Sequence, residues 1–160
     1  MTHTMVLLFA LLIGVVAGLR SMTAPAVVAW GAWLGWLPVA GTWASFMGHW
    51  VTVLILTVFL VGELITDQLP STPARIVPPQ FGARILTGGF AGAVIGAGWE
   101  HTPTALIAGV LGAVAGTLGG YHLRKLLVEK NGGRDLPVAL AEDVLAVGGG
   151  FLIVALAMNL

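Results

Sequence analysis

Glu63 and Asp67, in the stretch VGELITDQLPSTPARIVPPQ, stand four residues apart, which puts two carboxylates one turn apart on a single helix face. Glu63 follows a dozen uncharged residues, and a carboxylate in such a setting faces a partner or a water-filled cavity. Arg20 ends an N-terminal run with no other charge, in GLRSMTAPAVV, and Arg84 stands in GARILTGGFAGA. Arg75 lies between them, and Glu142 and Asp143 enter the last apolar run, where adjacent residues cannot share a helix face and one of the two is expected to look inward.

These residues suit three chemistries. Ion pairs of Arg20, Arg84 and Arg75 with Glu63, Asp67 and Glu142 would fix helix ends and do nothing more. Glu63 and Asp67 would alternatively bind a cation or proton on a pathway whose opening the arginines set. In the third reading, Arg20 and Arg84 at helix beginnings join backbone N–H groups and the positive end of the helix dipole to cradle a phosphate or carboxylate.

The elements that position these groups belong to a membrane protein. The 160 residues are 58% hydrophobic and 9% charged, with a mean hydropathy of +0.97, whereas soluble domains are roughly half apolar and a quarter charged. The length fits one transmembrane domain over residues 1–160. Seven basic and seven acidic residues balance, which leaves no electrostatic footprint for nucleic acid. The absence of cysteine removes disulfides and thiolate metal sites. With no Lys or Arg in its first nineteen residues, the N-terminal run reads as a retained segment and not as a signal peptide.

Apolar runs at about 5–19, 22–40, 48–66, 84–98, 104–121 and 137–158 predict an all-α polytopic bundle of five to six membrane helices. The first two runs would form either one helix kinked near Pro25 or a hairpin turning at Gly18–Ser21. GLRSMTAPAVVA and GARILTGGFAGA align without a gap on Gly, Arg, Thr and the final Ala, and LAEDVLAVGGGF is a weaker third copy with Glu142 in the arginine position. That repeat favours three tandem hairpins, over about 5–40, 48–98 and 103–158, with a short or re-entrant first hairpin. In this arrangement all six tryptophans fall on one side and every Lys and Arg on the other, which the positive-inside rule makes cytoplasmic. Arg20 then marks a cytoplasmic turn. Pro70, Pro73, Pro78 and Pro79 predict a stiff connection, and Gly132 and Gly133 a tight reversal.

Glycine supplies the expected packing surfaces. Gly109, Gly112, Gly116 and Gly119 recur at spacings of three and four, and Gly88 and Gly92 do so with Gly89 and Gly96 in the preceding helix, which lets backbones approach closely in lipid. A chain with so little interior is also expected to form a homo-oligomer. His3, His49, His101 and His122 have no ligand spacing, and no nucleophile elbow, phosphate loop or dinucleotide fingerprint is present, so neither metal, cofactor nor enzymatic activity is expected. A lipid-modifying activity on Glu63, Asp67 and His122 would require the fold to bring them together.

The blocks GLRSMTAPAVVAW, GELITDQLPSTPAR with ARILTGGFAGA, and DLPVALAEDVLAVGGG resemble those of the bacterial membrane family catalogued as domain of unknown function 4126. The resemblance implies a small multi-pass inner-membrane protein and carries no activity onto residues. The functional expectation is passage or binding of a small charged solute or ion, through a polar site of Glu63, Asp67, Glu142, Asp143, Arg20, Arg84 and Arg75 at the cytoplasmic helix ends. The alternatives are binding or translocation of an anionic lipid phosphate, and a structural membrane assembly role with no ligand; the lipid bilayer and further copies of the chain are the other expected partners.

Overall fold

The computed structural model describes residues 1–69 and 74–159. Among them are six α-helices, one short 3-10 turn and no strand. The helices are α1 (His3–Leu19), α2 (Thr23–Trp33), α3 (Trp50–Thr66), α4 (Pro78–Ala97), α5 (Thr102–Lys130) and α6 (Asp135–Met158), with the 3-10 turn at Ser45–Gly48.

The first two apolar runs form a hairpin and not a kinked helix. Arg20 is extended, with φ −140° and ψ 111°, and ends α1. Pro25 is the third residue of α2, where backbone N–H groups have no intrahelical acceptor, so the ring removes nothing and causes no kink. α2 is only 11 residues long, and Gly35 with φ 77° followed by Pro38 keeps the rest of the 22–40 run out of helix. Pro78 and Pro79, expected in a stiff connection, instead open α4 at its first two positions, where proline is tolerated for the same reason. Pro70, Ser71 and Pro73 of that connection lie outside the described residues. α5 continues nine residues past its apolar run, so the following reversal shrinks to a turn with Gly132 and Gly133 at φ 67° and 80°.

Length and composition qualify two helices, α5 and α6, to cross a membrane by themselves. α1 and α3 are apolar but have 17 residues each, about 26 Å against a hydrocarbon core of about 30 Å. The expected five to six spans are therefore not carried by helix length alone. The outside of the bundle is nonetheless oily: Val58, Phe59, Leu86, Ile107, Val144 and Leu145 all stand exposed.

α1 is the central helix and packs against α5, α4, α6 and α2, while α3 lies outside α2. Glycine makes the close crossings possible. A Cβ on Gly92 would lie 2.5 Å from the Ala105 carbonyl oxygen, one on Gly88 2.6 Å from the Ala113 methyl, and one on Gly18 2.5 Å from the Thr117 amide nitrogen. Gly109 faces the α4 backbone, and Gly112 and Gly116 face the α1 backbone at Leu11 and Val15. Gly119 does not join them, since nothing lies within 4 Å of its Cβ position. α1 follows the row Gly112, Gly116, Gly120 at spacing four, and Gly119, about 100° round the helix from Gly120, looks outward.

Candidate functional site

Helices α1, α3 and α5 arrive at one end of the bundle and α2, α4 and α6 leave from it. All seven Lys and Arg residues, and every acid except Glu100, belong to this end. Its centre is the turn between α1 and α2. Helix ends leave backbone groups unpaired, and this turn has two such ends side by side with no local side chain to satisfy them: α2 has no side-chain cap of its own.

Distant residues fill both roles. Glu63, on α3, accepts from the Ser21 and Met22 amides, 2.7 Å from each carboxylate oxygen. Its negative charge sits at the N-terminal end of α2, where the dipole favours it. Arg84, on α4, donates through Nη1 to the carbonyl oxygens of Gly18 and Leu19, at 3.1 and 2.8 Å. Its positive charge lies at the C-terminal end of α1, again the favourable sign. The hydroxyls of Ser21 and Thr87 meet at 3.3 Å, so the first two aligned segments touch. Their local structures nevertheless differ: Arg20 lies in the turn, whereas Gly82 and Arg84 lie within α4, and the second hairpin reverses between α3 and α4.

Arg20 is at the expected turn, but it is fully buried. Its guanidinium bridges two helices, through Nη1 to Asp67 at the end of α3 and through Nε to Asp143 on α6. Gln68 Nε2 donates to the second oxygen of Asp143 at 2.9 Å. Arg75 makes a two-pronged pair with Glu142, at 2.5 and 3.0 Å, and its side chain crosses α5 at Gly120, 2.9 Å from where a Cβ would be. Arg124 completes the cluster on Asp135, at 2.9 and 2.7 Å, and reaches Glu142 at 3.5 Å.

All seven charged residues expected at the site are therefore brought together. Glu63 and Asp67 share a face as their spacing requires. Glu142 and Asp143 both look inward, in correction of the expectation that only one would, because Asp143 turns toward the α1–α2 turn and Glu142 toward α5. Of the two arginines expected at helix beginnings, Arg20 is at one, that of α2, and Arg84 is not, being the seventh residue of α4; the chain's own Glu63 carboxylate takes the backbone amides at the α2 beginning. Gln68, Thr23, Thr87 and Gly120 were not singled out by the sequence. Thr23 and Thr87 occupy matched places in the aligned segments, which is the signal that would have found them.

The opposite end carries the tryptophans. Trp30 Nε1 donates to Thr57 at 3.0 Å and Trp43 Nε1 to Thr102 at 3.3 Å. The rings of His3 and His101 lie 4.4 Å apart, whereas His122, at the charged end of α5, is exposed beside Tyr121. An apolar cavity of about 310 Å³ opens between α2 and α3, lined by Trp30, Trp33, Trp50, Val53, Leu54 and Thr57. No family model, curated protein or solved structure matches the chain.

Proposed function

We propose that the chain is a multi-pass inner-membrane protein that passes a small charged solute or ion, with the charged end at the cytoplasmic face and closed in this structure. The observation that carries the reading is the buried Arg20 guanidinium, held by carboxylates from α3 and α6 at the point where the three hairpins meet. Ionisable groups at membrane depth are costly, and they line solute or proton paths or pair with one another. A network of exchangeable pairs between helices is a seal that a competing ion can open. The apolar exterior and the separation of tryptophans from basic residues support insertion, with α5 and α6 as full spans and, as further crossings, α1 and α4 packed against α5 and α3 packed on α2. Assembly into a homo-oligomer, and membership in the family that the polar blocks resemble, belong to the same proposal.

A structural role is the competing reading. It is favoured because Glu63, Asp67, Glu142 and Asp143 each already have a partner within the chain. Reconstituted liposomes decide between the two. Under an imposed gradient, wild-type protein should pass a small ion from a panel of phosphate, carboxylates and alkali cations, and Glu63→Gln, which keeps one of the two oxygens that accept from the Ser21 and Met22 amides, should abolish that flux in protein that still inserts and folds, with a lowered melting temperature. Equal flux from the variant would remove Glu63 from the pathway. The absence of flux for every ion would leave the structural role.

A further inference from the structure

Three buried side-chain atoms among the described residues have no hydrogen-bond partner: Arg20 Nη2, Arg84 Nε and Thr23 Oγ1. Buried polar groups are nearly always paired, so each such atom calls for an explanation. These three line one connection. Arg20 and Thr23 bracket the α1–α2 turn, and Arg84 is held on the Gly18 and Leu19 carbonyl oxygens of the same turn. Thr23 is fully buried, and its hydroxyl is its only polar side-chain atom.

All three atoms carry a hydrogen to donate, and two belong to cations. The acceptor side of the site is largely taken: both oxygens of Glu63, Glu142 and Asp143 take an N–H donor, Asp67 accepts through Oδ2, and no carboxylate oxygen among the described residues is buried without a donor. A metal ion or ammonium group needs free acceptors, whereas a phosphate or carboxylate needs free donors.

We infer that the polar site takes an oxyanion, a phosphate or carboxylate group, bound by Arg20 Nη2, Arg84 Nε and the Thr23 hydroxyl. This deepens the proposed function by fixing the sign of the solute. Asp67 and Asp143 are 14% and 13% exposed at their side chains, so solvent reaches the edge of the seal, and an arriving oxyanion competes with these two carboxylates for Arg20. The seven site residues sum to a charge of −1, and Arg124, Lys125, Lys130 and Arg134, set against Glu129 and Asp135, bring the charged end as a whole to +1.

The test is equilibrium dialysis of the full chain with radiolabelled inorganic phosphate, in detergent and in phosphatidylcholine nanodiscs. Saturable binding is expected, competed by acetate or sulfate and unaffected by exchanging sodium for potassium. Thr23→Val should weaken it about tenfold or more, the loss of one hydrogen bond to a charged group. Arg84→Lys should weaken it as well, whereas Thr4→Val, at an exposed position near the other end, should not, all three being compared at matched melting temperature. Absence of saturable phosphate binding, or binding indifferent to both Thr23→Val and Arg84→Lys, would overturn the inference. In nanodiscs containing phosphatidic acid, displacement of the free phosphate identifies a lipid headgroup as the source of the oxyanion, and retention identifies a soluble one. Phosphate binding without flux leaves this inference standing and removes the transport reading; flux of a cation without phosphate binding does the reverse.

Discussion

Replacing Arg20 by glutamine probes the joint between the hairpins. The substitution removes a fully buried cation and both of its charge-assisted bonds, to Asp67 and to Asp143. Removing one partner of a buried ion pair costs about 3–5 kcal/mol, because the remaining charge is stranded. Two features place this case at the lower end. The stranded carboxylates keep side-chain exposures of 14% and 13%, and Gln68 continues to donate to Asp143. The expected loss is therefore about 3 kcal/mol, or about two orders of magnitude in the folding equilibrium. Unfolding in mixed micelles with increasing denaturing detergent, followed by tryptophan fluorescence, measures it. The charge argument adds a sign: in the triple variant Arg20→Gln/Asp67→Asn/Asp143→Asn no charge is stranded, and most of the loss should return. A loss under about 1 kcal/mol for Arg20→Gln, or a triple variant no better than the single one, would refute the claim that this pairing closes the bundle.

Three further outcomes follow from the packing and the sidedness. Gly112→Ala and Gly116→Ala push a methyl into the α1 backbone and should each cost about 3 kcal/mol, the upper end for overpacking because backbone atoms cannot yield, while Gly119→Ala, facing open space, should be neutral or stabilise the helix by up to about 1 kcal/mol; the same unfolding assay ranks them. Because the chain has no cysteine, single replacements report topology cleanly. In oriented vesicles Asn131→Cys, in the exposed α5–α6 turn, should react with an impermeant maleimide only from the cytoplasmic side, and Ala40→Cys, exposed at the other end, only from outside. Arg75→Lys should destabilise by about 1–2 kcal/mol, because an ammonium cannot keep both prongs on Glu142, and thermal melts in detergent would show it.

The sequence made the charged end legible because charges in an apolar chain are few and must find one another. Seven residues spread from Arg20 to Asp143 could be assigned to one site from sidedness alone, and the aligned arginine segments pointed to the hairpin that α1 and α2 form. What sequence spacing could not provide was the division of labour. Glu63 serves backbone amides and not a guanidinium, and Arg84 serves carbonyl oxygens and not a carboxylate, since which helix end passes beside which side chain is decided by tertiary packing. Hydropathy is a poor guide to the helix ends of this chain. Pro78 and Pro79 open a helix at positions that need no N–H, and residues 122–130, where charged residues and His122 alternate with leucines, are helical because α5 continues to Lys130. Periodicity puts Gly119 on the packing stripe, although only the row at spacing four meets α1.

The central claim is that the charged end is a site for a small charged solute and not only a clasp between helices. Native mass spectrometry of the gently solubilised protein, wild type beside Thr23→Val, tests it most directly, before and after addition of phosphate. The account predicts a small anionic adduct on the wild type that is lost or weakened in the variant. A bare protein in every form, with phosphate and with alkali cations added, would contradict it and leave the ion pairs as structure alone.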